Sequence, residues 1–320
     1  VLLFPETSKV ETFMKGRVEL VEFPVREESH LVGLSLAEIY QKYQIKILVC
    51  AVKRGTEVFI PDGDFVLEKG DKLHIAAAHQ ELKSFFCALG RKTTKVRKVL
   101  ICGGGHVCFY LAGQLLQAGM QVKIIEKNEK RCEVLCENLP RATVIHGDAA
   151  SHELLLEEGI QSADAVVALT GMDEENIIMA LFAKTQGVNK IVAKVNEETR
   201  AQMVEGLGID SIISAKSATA DAILGYVRAR NNSARSVNME TMYRLINGKI
   251  EAQEFIIKKE GPYTNVPLKD LPTKPNNLIA CIGRKRKIII PGGEDHLEVG
   301  DSVIIITKEH VINDLSDILA

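Results

Sequence analysis

A glycine-rich loop carries the clearest chemistry in this chain. The apolar run Val99–Cys102 leads into Gly103–Gly105, and a helical pattern begins at His106. A first glycine lets the chain turn sharply, and the next ones let backbone N–H groups at a helix N-terminus approach a pyrophosphate. Where a further glycine usually permits close packing of helix on strand, this chain has Cys108. The loop predicts nucleotide binding by a GxGxxC variant of the dinucleotide fingerprint.

Polar residues follow the next apolar runs at the positions where such a nucleotide is held. Glu126 comes 23 residues after Gly103, where a carboxylate can accept hydrogen bonds from ribose hydroxyls. Gly147-Asp148-Ala149 and Ala168-Leu169-Thr170-Gly171 follow two more apolar runs. Each feature has a purely structural alternative: a tight turn at the glycines, a solvated strand end at Glu126, and a helix cap at Asp148.

Alternating strand and helix patterns place these residues in one domain. Nearly all-apolar strands between amphipathic helices are typical of a parallel sheet that is buried on both faces. We therefore predict an α/β fold with a Rossmann-like doubly wound parallel sheet, and we expect Asn128 and Thr170 to cap helices. The predicted strands are 97–102, 121–126, 142–146, 164–169, 190–195 and 211–213. The predicted helices are 106–118, 128–138, 151–158, 173–187 and 197–206.

An internal repeat flanks this domain. Residues 47–75 recur as 277–305, and the clearest part is Ile60–Asp71, which returns 230 positions later as Ile290–Asp301. Each copy is predicted to be a small α+β domain of short strands and one helix, with no nucleophile–base pair and no metal-ligand spacing. The predicted boundaries are a linker with a helix-like segment (1–16), a first small domain (17–92), the nucleotide domain (93–235) and a second small domain (236–320).

Composition excludes several classes of function. Of 320 residues 26% are charged and the net charge is −2, so no overall electrostatic attraction draws the chain to nucleic acid. The basic run Arg284–Lys287 is favoured as a solvated hairpin over a nucleic-acid or lipid site, since the first copy lacks it. Seven cysteines without a CxxC pair are typical of a reduced, cytoplasmic protein. Cys132 and Cys136 fit ordinary helix positions better than a metal site.

The motifs Val99–His106, His146–Ala149, Ala163–Thr170, Asp173–Ile177 and Ile213–Thr219 resemble the regulator-of-potassium-conductance (RCK) family, and within it the regulatory proteins of Trk potassium uptake. The two small domains resemble the family's C-terminal (TrkA-C) regulatory domains, and the central one its nucleotide-binding (TrkA-N) domain. The resemblance implies a cytoplasmic, non-enzymatic subunit that binds NAD(H) or ATP/ADP and gates a TrkH-like membrane potassium transporter. It also implies that this chain is a C-terminal fragment lacking a first nucleotide-binding domain.

The resemblance assigns cofactor-binding residues by position. They are Gly103, Gly104, Gly105, His106, Val107, Cys108, Glu126, Lys127, Asp148, Ala149, Thr170 and Lys194. The segment Ser217–Arg230, a helix with small residues on one side, is predicted to join copies into a dimer or tetramer ring, although a core helix would have the same pattern. Two alternative functions stay open: an NAD-dependent oxidoreductase, disfavoured because no tyrosine has a lysine four residues on, and a degenerate, non-binding structural copy.

Overall fold

The computed structural model describes residues 10–26, 29–90, 96–197, 200, 207, 209, 211–233, 239–246, 248–308, 312 and 314–320. It divides into two compact units. One contains Thr94–Thr219, and the other joins Lys9–Thr93 with Ala220–Ala320. Within the part of the chain that is described, no helix is both long enough and apolar enough to cross a membrane.

The first small domain is an antiparallel sheet with two helices. Its strands are β1 (Val10–Phe13), β2 (Val18–Pro24), β3 (Leu48–Arg54), β4 (Glu57–Phe59) and β5 (Lys72–Ala77), in the spatial order β1-β2-β5-β3-β4. The helices are α1 (Leu36–Tyr43) and α2 (His79–Ala88). Two expectations were wrong. Val10–Phe13 is an edge strand paired with β2 and not a helix-like linker, and the domain has a second helix because Leu82, Phe85 and Phe86 bury an apolar face.

The central domain has the predicted doubly wound fold. Six parallel strands form its sheet: β6 (Lys98–Cys102), β7 (Gln121–Glu126), β8 (Thr143–His146), β9 (Ala165–Ala168), β10 (Lys190–Lys194) and β11 (Ser211–Ile213). Their spatial order is β11-β10-β9-β6-β7-β8, so the strand order reverses between β6 and β9. The helices are α3 (His106–Gln117), α4 (Glu129–Asn138), α5 (His152–Glu157) and α6 (Asp173–Thr185). Most of the predicted helix 197–206 lies outside the described residues.

Alternation along each strand divides the core of this domain into two layers. Val99 and Ile101 of β6 contribute to one buried cluster, while Leu100 and Cys102 contribute to the other. Because each layer needs a cover, helices are required on both faces of the sheet.

Helix caps in this domain follow the expectation in part. The Asn128 side chain accepts a hydrogen bond from the Arg131 N–H at the start of α4, which confirms that cap. Thr170 is not a cap, because α6 begins after Met172, which makes no side-chain capping bond. Asp148 does not cap α5 either. The N-cap of α5 is Ser151, whose side chain accepts a hydrogen bond from the Leu154 N–H.

The helix α7 (Ala215–Ser233) includes the predicted segment 217–230. Large apolar side chains on it are exposed, among them Ile223 (57%), Leu224 (38%), Tyr226 (63%) and Val227 (45%). A helix buried in the core of its own chain would hide such residues. The observation favours an external surface over a core helix.

The second small domain repeats the first sheet strand by strand. Its strands are β12 (Met239–Leu245), β13 (Ile250–Ile256), β14 (Asn277–Arg284), β15 (Lys287–Ile289) and β16 (Ser302–Lys308), in the order β12-β13-β16-β14-β15. A 3₁₀ turn at Leu268–Asp270 stands where the first copy has α1, and another forms at Leu315–Ile318. The expectation of one helix was wrong for the first copy, and the described residues of the second copy (239–246, 248–308, 312 and 314–320) include no α-helix.

The two small domains share one apolar core. Residues of both copies, among them Phe13, Leu20, Ala252 and Ile306, form a single buried cluster. The Met14 N–H donates to Glu254 Oε2 at 3.0 Å across this boundary. The repeat is thus a structural pair, in which each copy covers one face of the other's sheet.

Candidate functional site

The first two glycines of the loop are required by the fold. Gly103 has φ +102°, and a Cβ there would lie 2.9 Å from the backbone of Leu169 and Thr170. A Cβ on Gly104 would lie 2.6 Å from Leu135 and 3.0 Å from the Glu126 side chain. The loop therefore passes directly against the ends of β9 and β7, at the point where the strand order reverses.

Gly105 is different, because nothing in the protein requires it. A Cβ at this position would meet no atom within 4 Å, and its φ of −65° is open to any residue. Open space beside a fingerprint glycine is where the pyrophosphate of a bound nucleotide would lie. The residues of the loop thus fit a dinucleotide.

The N-terminus of α3 supplies the groups that an anion needs. Gly105 is its N-cap and makes no side-chain capping bond, so the first N–H groups of the helix are not satisfied by a cap. His106 and Val107 are exposed, and the helix dipole adds positive potential there. The same position therefore combines free donors, positive potential and space for a phosphate.

The Glu126 side chain faces the glycine loop and also holds it in place through hydrogen bonds. Its Oε2 accepts from the Gly104 N–H at 2.6 Å, and its Oε1 accepts from the Asn128 N–H at 2.8 Å. Arg131 Nε donates to the Gly104 carbonyl at 2.7 Å, which holds the loop from the other side. A carboxylate has about four acceptor positions, so Glu126 keeps capacity for ribose hydroxyls while these bonds persist.

Cys108 lies in the core and not at the surface of the loop. It is 0% exposed and packs in the cluster that contains Ile101, Ile124 and Leu135. Burial raises the pKa of its thiol to about 12, so the sulfur stays neutral at physiological pH. A side chain larger than glycine is thus accommodated at this position by packing between α3 and the sheet.

Three of the predicted residues surround the edge of the sheet without forming a cluster. Asp148 is exposed, and its Oδ1 accepts from the Ala150 N–H at 2.9 Å. Ala149 is buried, and Lys127 is exposed with its carbonyl 3.1 Å from His146 Nε2. Asp148 and Lys127 therefore present polar groups to solvent after β8 and β7.

The Asn176 side chain makes hydrogen bonds at the ends of β9 and β10, next to the glycine loop. The sequence did not predict this role. Its Oδ1 accepts from the Thr170 N–H at 2.8 Å and from Thr170 Oγ1 at 2.9 Å. Its Nδ2 donates to the carbonyls of Thr170 at 3.2 Å and Lys194 at 2.9 Å. The buried amide of Asn176 thus connects the ends of β9 and β10. The only indication of this role in the sequence was that Asn176 lies in the Asp173–Ile177 motif.

Asp173 fixes the next turn in a similar way. Its carboxylate is 3% exposed and accepts from the backbone N–H groups of Asn196 and Glu197 at 2.9 to 3.1 Å. Burial alone would raise the pKa of Asp173, but these donors, and Arg200 at 3.7 Å, hold the pKa below its ordinary value. Asp173 is therefore ionised and structural.

The comparisons with known proteins agree with this geometry. The TrkA-N domain family matches residues 99–215, and the TrkA-C domain family matches residues 20–90 and 252–320. Trk system potassium uptake protein TrkA from Vibrio alginolyticus is 31% identical over 314 residues, which are 97% of this chain and 68% of that protein. The chain belongs to the TrkA family.

Other members and a solved structure extend the match. A TrkA homolog from Archaeoglobus fulgidus is 29% identical, covering 98% of this chain and 69% of the relative. The chain thus spans about two-thirds of the length of these TrkA proteins. The structure titled "GsuK channel bound to NAD" superposes with a TM-score of 0.52 at 18% identity, covering 96% of this chain and 54% of that one. At that identity it shows the fold, and the predicted RCK architecture is confirmed. The predicted upstream domain stays a prediction.

Proposed function

We propose that the TrkA-N domain binds NAD(H) or an adenine nucleotide at the carboxyl edge of its sheet, as the sensor of a cytoplasmic regulatory subunit. The observation that carries the proposal is the contrast within the glycine loop. Gly103 and Gly104 are enforced by neighbouring atoms, whereas Gly105 faces open space beside the N-terminus of α3. A ligand that occupies this space explains the third glycine, and the protein itself does not.

Several of the predicted residues would then lie toward the nucleotide. The pyrophosphate would lie over Gly105 and the first N–H groups of α3, and Glu126 would accept from the ribose hydroxyls. Thr170 stands beside the loop across the reversal of strand order, since β9 pairs directly with β6. Lys194 is one strand further, about 10 Å from the loop at about 4.8 Å per strand, so its long side chain would reach only the distal part of a dinucleotide.

We further propose that nucleotide binding biases the arrangement of a homo-oligomer, a dimer or tetramer ring, that gates a TrkH-like potassium transporter. The names of the TrkA relatives and the exposed apolar side chains of α7 support this. A nucleotide can shift such an equilibrium only as far as its affinities for the two arrangements differ. The expected signature is a change in potassium flux through the transporter when NADH replaces NAD at equal concentration.

Isothermal titration with NAD, NADH, ATP and ADP tests the nucleotide site. Gly105→Ala should fold like the wild type, because its methyl meets no protein atom, yet it should weaken nucleotide affinity at least tenfold by occupying the pyrophosphate position. Gly113→Ala on the same helix is the matched control, since its methyl would lie 3.9 Å from Leu139, and should leave binding unchanged.

Two results would reject the proposal. Absence of binding heat with all four nucleotides would favour a degenerate structural copy. Steady turnover of NADH with a small substrate would favour the oxidoreductase.

A further inference from the structure

Two hairpins, one from each small domain, place five exposed cations side by side. Lys285, Arg286 and Lys287 are exposed at the hairpin between β14 and β15. Lys15 and Arg17 are exposed in the turn between β1 and β2. The two hairpins are in contact, because Arg17 Nη1 donates to the carbonyl of Lys285 at 3.1 Å. We call these five residues the basic turns.

No carboxylate neutralises the basic turns within the described part of the chain. None of the five cations forms an ion pair there, whereas the neighbouring Arg284 is paired with Asp301 at 2.8 Å. The other hydrogen bond of the Arg17 guanidinium goes from Nε to the carbonyl of Met14 at 3.1 Å. Since the whole chain has a net charge of −2, the basic turns are a local concentration of positive charge.

The equivalent junction, in which the two copies exchange roles, shows that the fold does not need these cations. There Lys249 Nζ donates to the carbonyl of Thr56 at 2.7 Å. The first-copy hairpin has Gly55, Thr56 and Glu57 in place of the three cations, and the charges of Glu57 and Lys249 are opposite in sign. The contact between the copies is therefore made without a basic hairpin.

Lys285 has a backbone conformation that favours glycine. Its φ is +55°, and Gly55 occupies the same position of the first-copy hairpin at φ +58°. A side chain in the left-handed region strains the backbone, and such strained residues cluster at functional sites. Contact with an anion therefore explains the lysine better than the needs of the hairpin do.

We propose that the basic turns bind the anionic surface of a lipid bilayer. Five cations on two separate hairpins form a broad surface, which a plane of phosphate headgroups can contact at once and a single small anion cannot. The attraction adds up over the basic residues that lie near the bilayer. It acts within a Debye length of about 8 Å at physiological salt, so acidic residues elsewhere on the chain oppose it only weakly.

Single-stranded nucleic acid fits the basic turns less well, because its bases stack on aromatic side chains and neither turn contains one. The choice of a membrane also rests on the proposed partnership with a transporter, which would hold the chain beside a bilayer. Nucleotide binding is not required. The sequence alone favoured a solvated hairpin at 284–287, because no pattern in it places Lys15 and Arg17 next to that hairpin.

Sedimentation of the full chain with lipid vesicles tests this surface. At low salt the chain should bind vesicles of phosphatidylglycerol and phosphatidylcholine at least about tenfold more tightly than vesicles of phosphatidylcholine alone. The preference should disappear at about 1 M salt, where the Debye length falls to about 3 Å. Neither the transporter nor a nucleotide is present in this measurement, so its failure and the failure of the proposed function are separate results.

A variant with the hairpin of the first copy tests the basic residues directly. Lys285→Gly, Arg286→Thr and Lys287→Glu together reproduce the residues at 55–57 and should remove the preference for phosphatidylglycerol. The variant should fold with an unfolding temperature no lower than that of the wild type, because glycine relieves the left-handed backbone at position 285. Lys15→Gly, at φ +59°, removes one cation from the other hairpin and should weaken vesicle binding about fivefold.

A control on the TrkA-N domain separates the basic turns from total charge. The hairpin variant changes three positions from +3 to −1, and Lys130→Glu with Arg141→Glu changes two exposed positions from +2 to −2. The control should leave vesicle binding unchanged. No binding or equal binding to the two kinds of vesicle, binding retained by the hairpin variant, or an equal loss in the control would each overturn the proposal. Tighter binding of a single-stranded oligonucleotide than of the anionic vesicles would also overturn it and would assign the basic turns to nucleic acid.

Discussion

At the scale of single residues, the glycines of the loop differ in what they do for the fold. Gly103→Ala should destabilise the central domain by about 3 kcal/mol, because the added methyl meets backbone at 2.9 Å with φ at +102°. Gly105→Ala should change the free energy of unfolding by less than about 0.5 kcal/mol. Urea unfolding of both variants measures the difference, and equal destabilisation would contradict the distinction between a structural and a ligand-facing glycine.

Asp173 gives a prediction of pH dependence. Asp173→Ala leaves the N–H groups of Asn196 and Glu197 without their acceptor and should cost about 2 to 3 kcal/mol at pH 7. Since folding lowers the pKa of Asp173 from 3.8, the ionised form stabilises the fold above that pH, and the contribution is lost as pH falls through the folded value. The stability difference between wild type and variant should stay constant from pH 8 to 5 and shrink below 3.8. A difference that grew in acid would contradict this.

The sequence placed candidate residues at one edge of the sheet but did not give their contacts. Glu126, Asp148 and Thr170 were selected because each follows an apolar run, and parallel strands place their carboxyl ends at one edge. The bonds of Glu126 to the glycine loop and the bridge that Asn176 makes between β9 and β10 depend on side-chain conformations. No spacing in the sequence encodes those conformations.

At the scale of elements, an arginine–aspartate pair explains why parts of the repeat keep their residues. Arg54 Nε and Nη2 each donate to Asp71 at 2.8 Å, and Arg284 donates to Asp301 at 2.9 and 2.8 Å in the same way. Asp71 and Asp301 are almost fully buried, and each also accepts from the N–H of a glutamate three residues earlier. The pair thus fixes the turn before the central strand of each sheet, and Arg284 belongs to this pair and not to a basic surface.

Asp71→Asn should therefore destabilise the small-domain unit by about 3 kcal/mol, because it leaves the Arg54 guanidinium facing a neutral amide and breaks a paired contact with a buried group. Glu68→Gln is the control, since Glu68 contacts Arg54 at 2.6 Å but is 63% exposed, and should cost less than about 1 kcal/mol. Thermal unfolding of both variants is the measurement. Similar losses would show that the two carboxylates matter equally.

Strands were predicted best where both of their faces are buried, because such a strand is a continuous apolar run in the sequence. β7 and β11 have the predicted bounds, because apolar runs between helices define them. Val10–Phe13 was mistaken for a linker because a four-residue edge strand has little pattern of its own and gains its structure by pairing with β2. The second small domain shows the same limit, since Leu268–Asp270 forms a 3₁₀ turn where the first copy has helix α1.

At the scale of the whole molecule, the repeat makes one folding unit from segments far apart in sequence. The shared core draws residues from positions 13 to 76 and 245 to 306. Each small sheet would expose an apolar face without its partner, so neither copy has a complete core by itself. The connection between them runs through the TrkA-N domain, and the 230-residue offset seen in the sequence is the spacing of two halves of one core.

A double-mutant cycle across this core tests the pairing. Met14→Ala should cost about 2 to 3 kcal/mol, since Met14 is 2% exposed. Gly283→Ala should cost about 1 kcal/mol in the wild type, because its methyl would lie 2.7 Å from Met14 Sδ, a flexible side-chain end. In the Met14→Ala background the same methyl finds space, so the double variant should be more stable than the sum of the single losses by about 1 kcal/mol. Chemical denaturation of the four proteins measures this coupling. Strict additivity would show that the two copies do not pack on each other at this point.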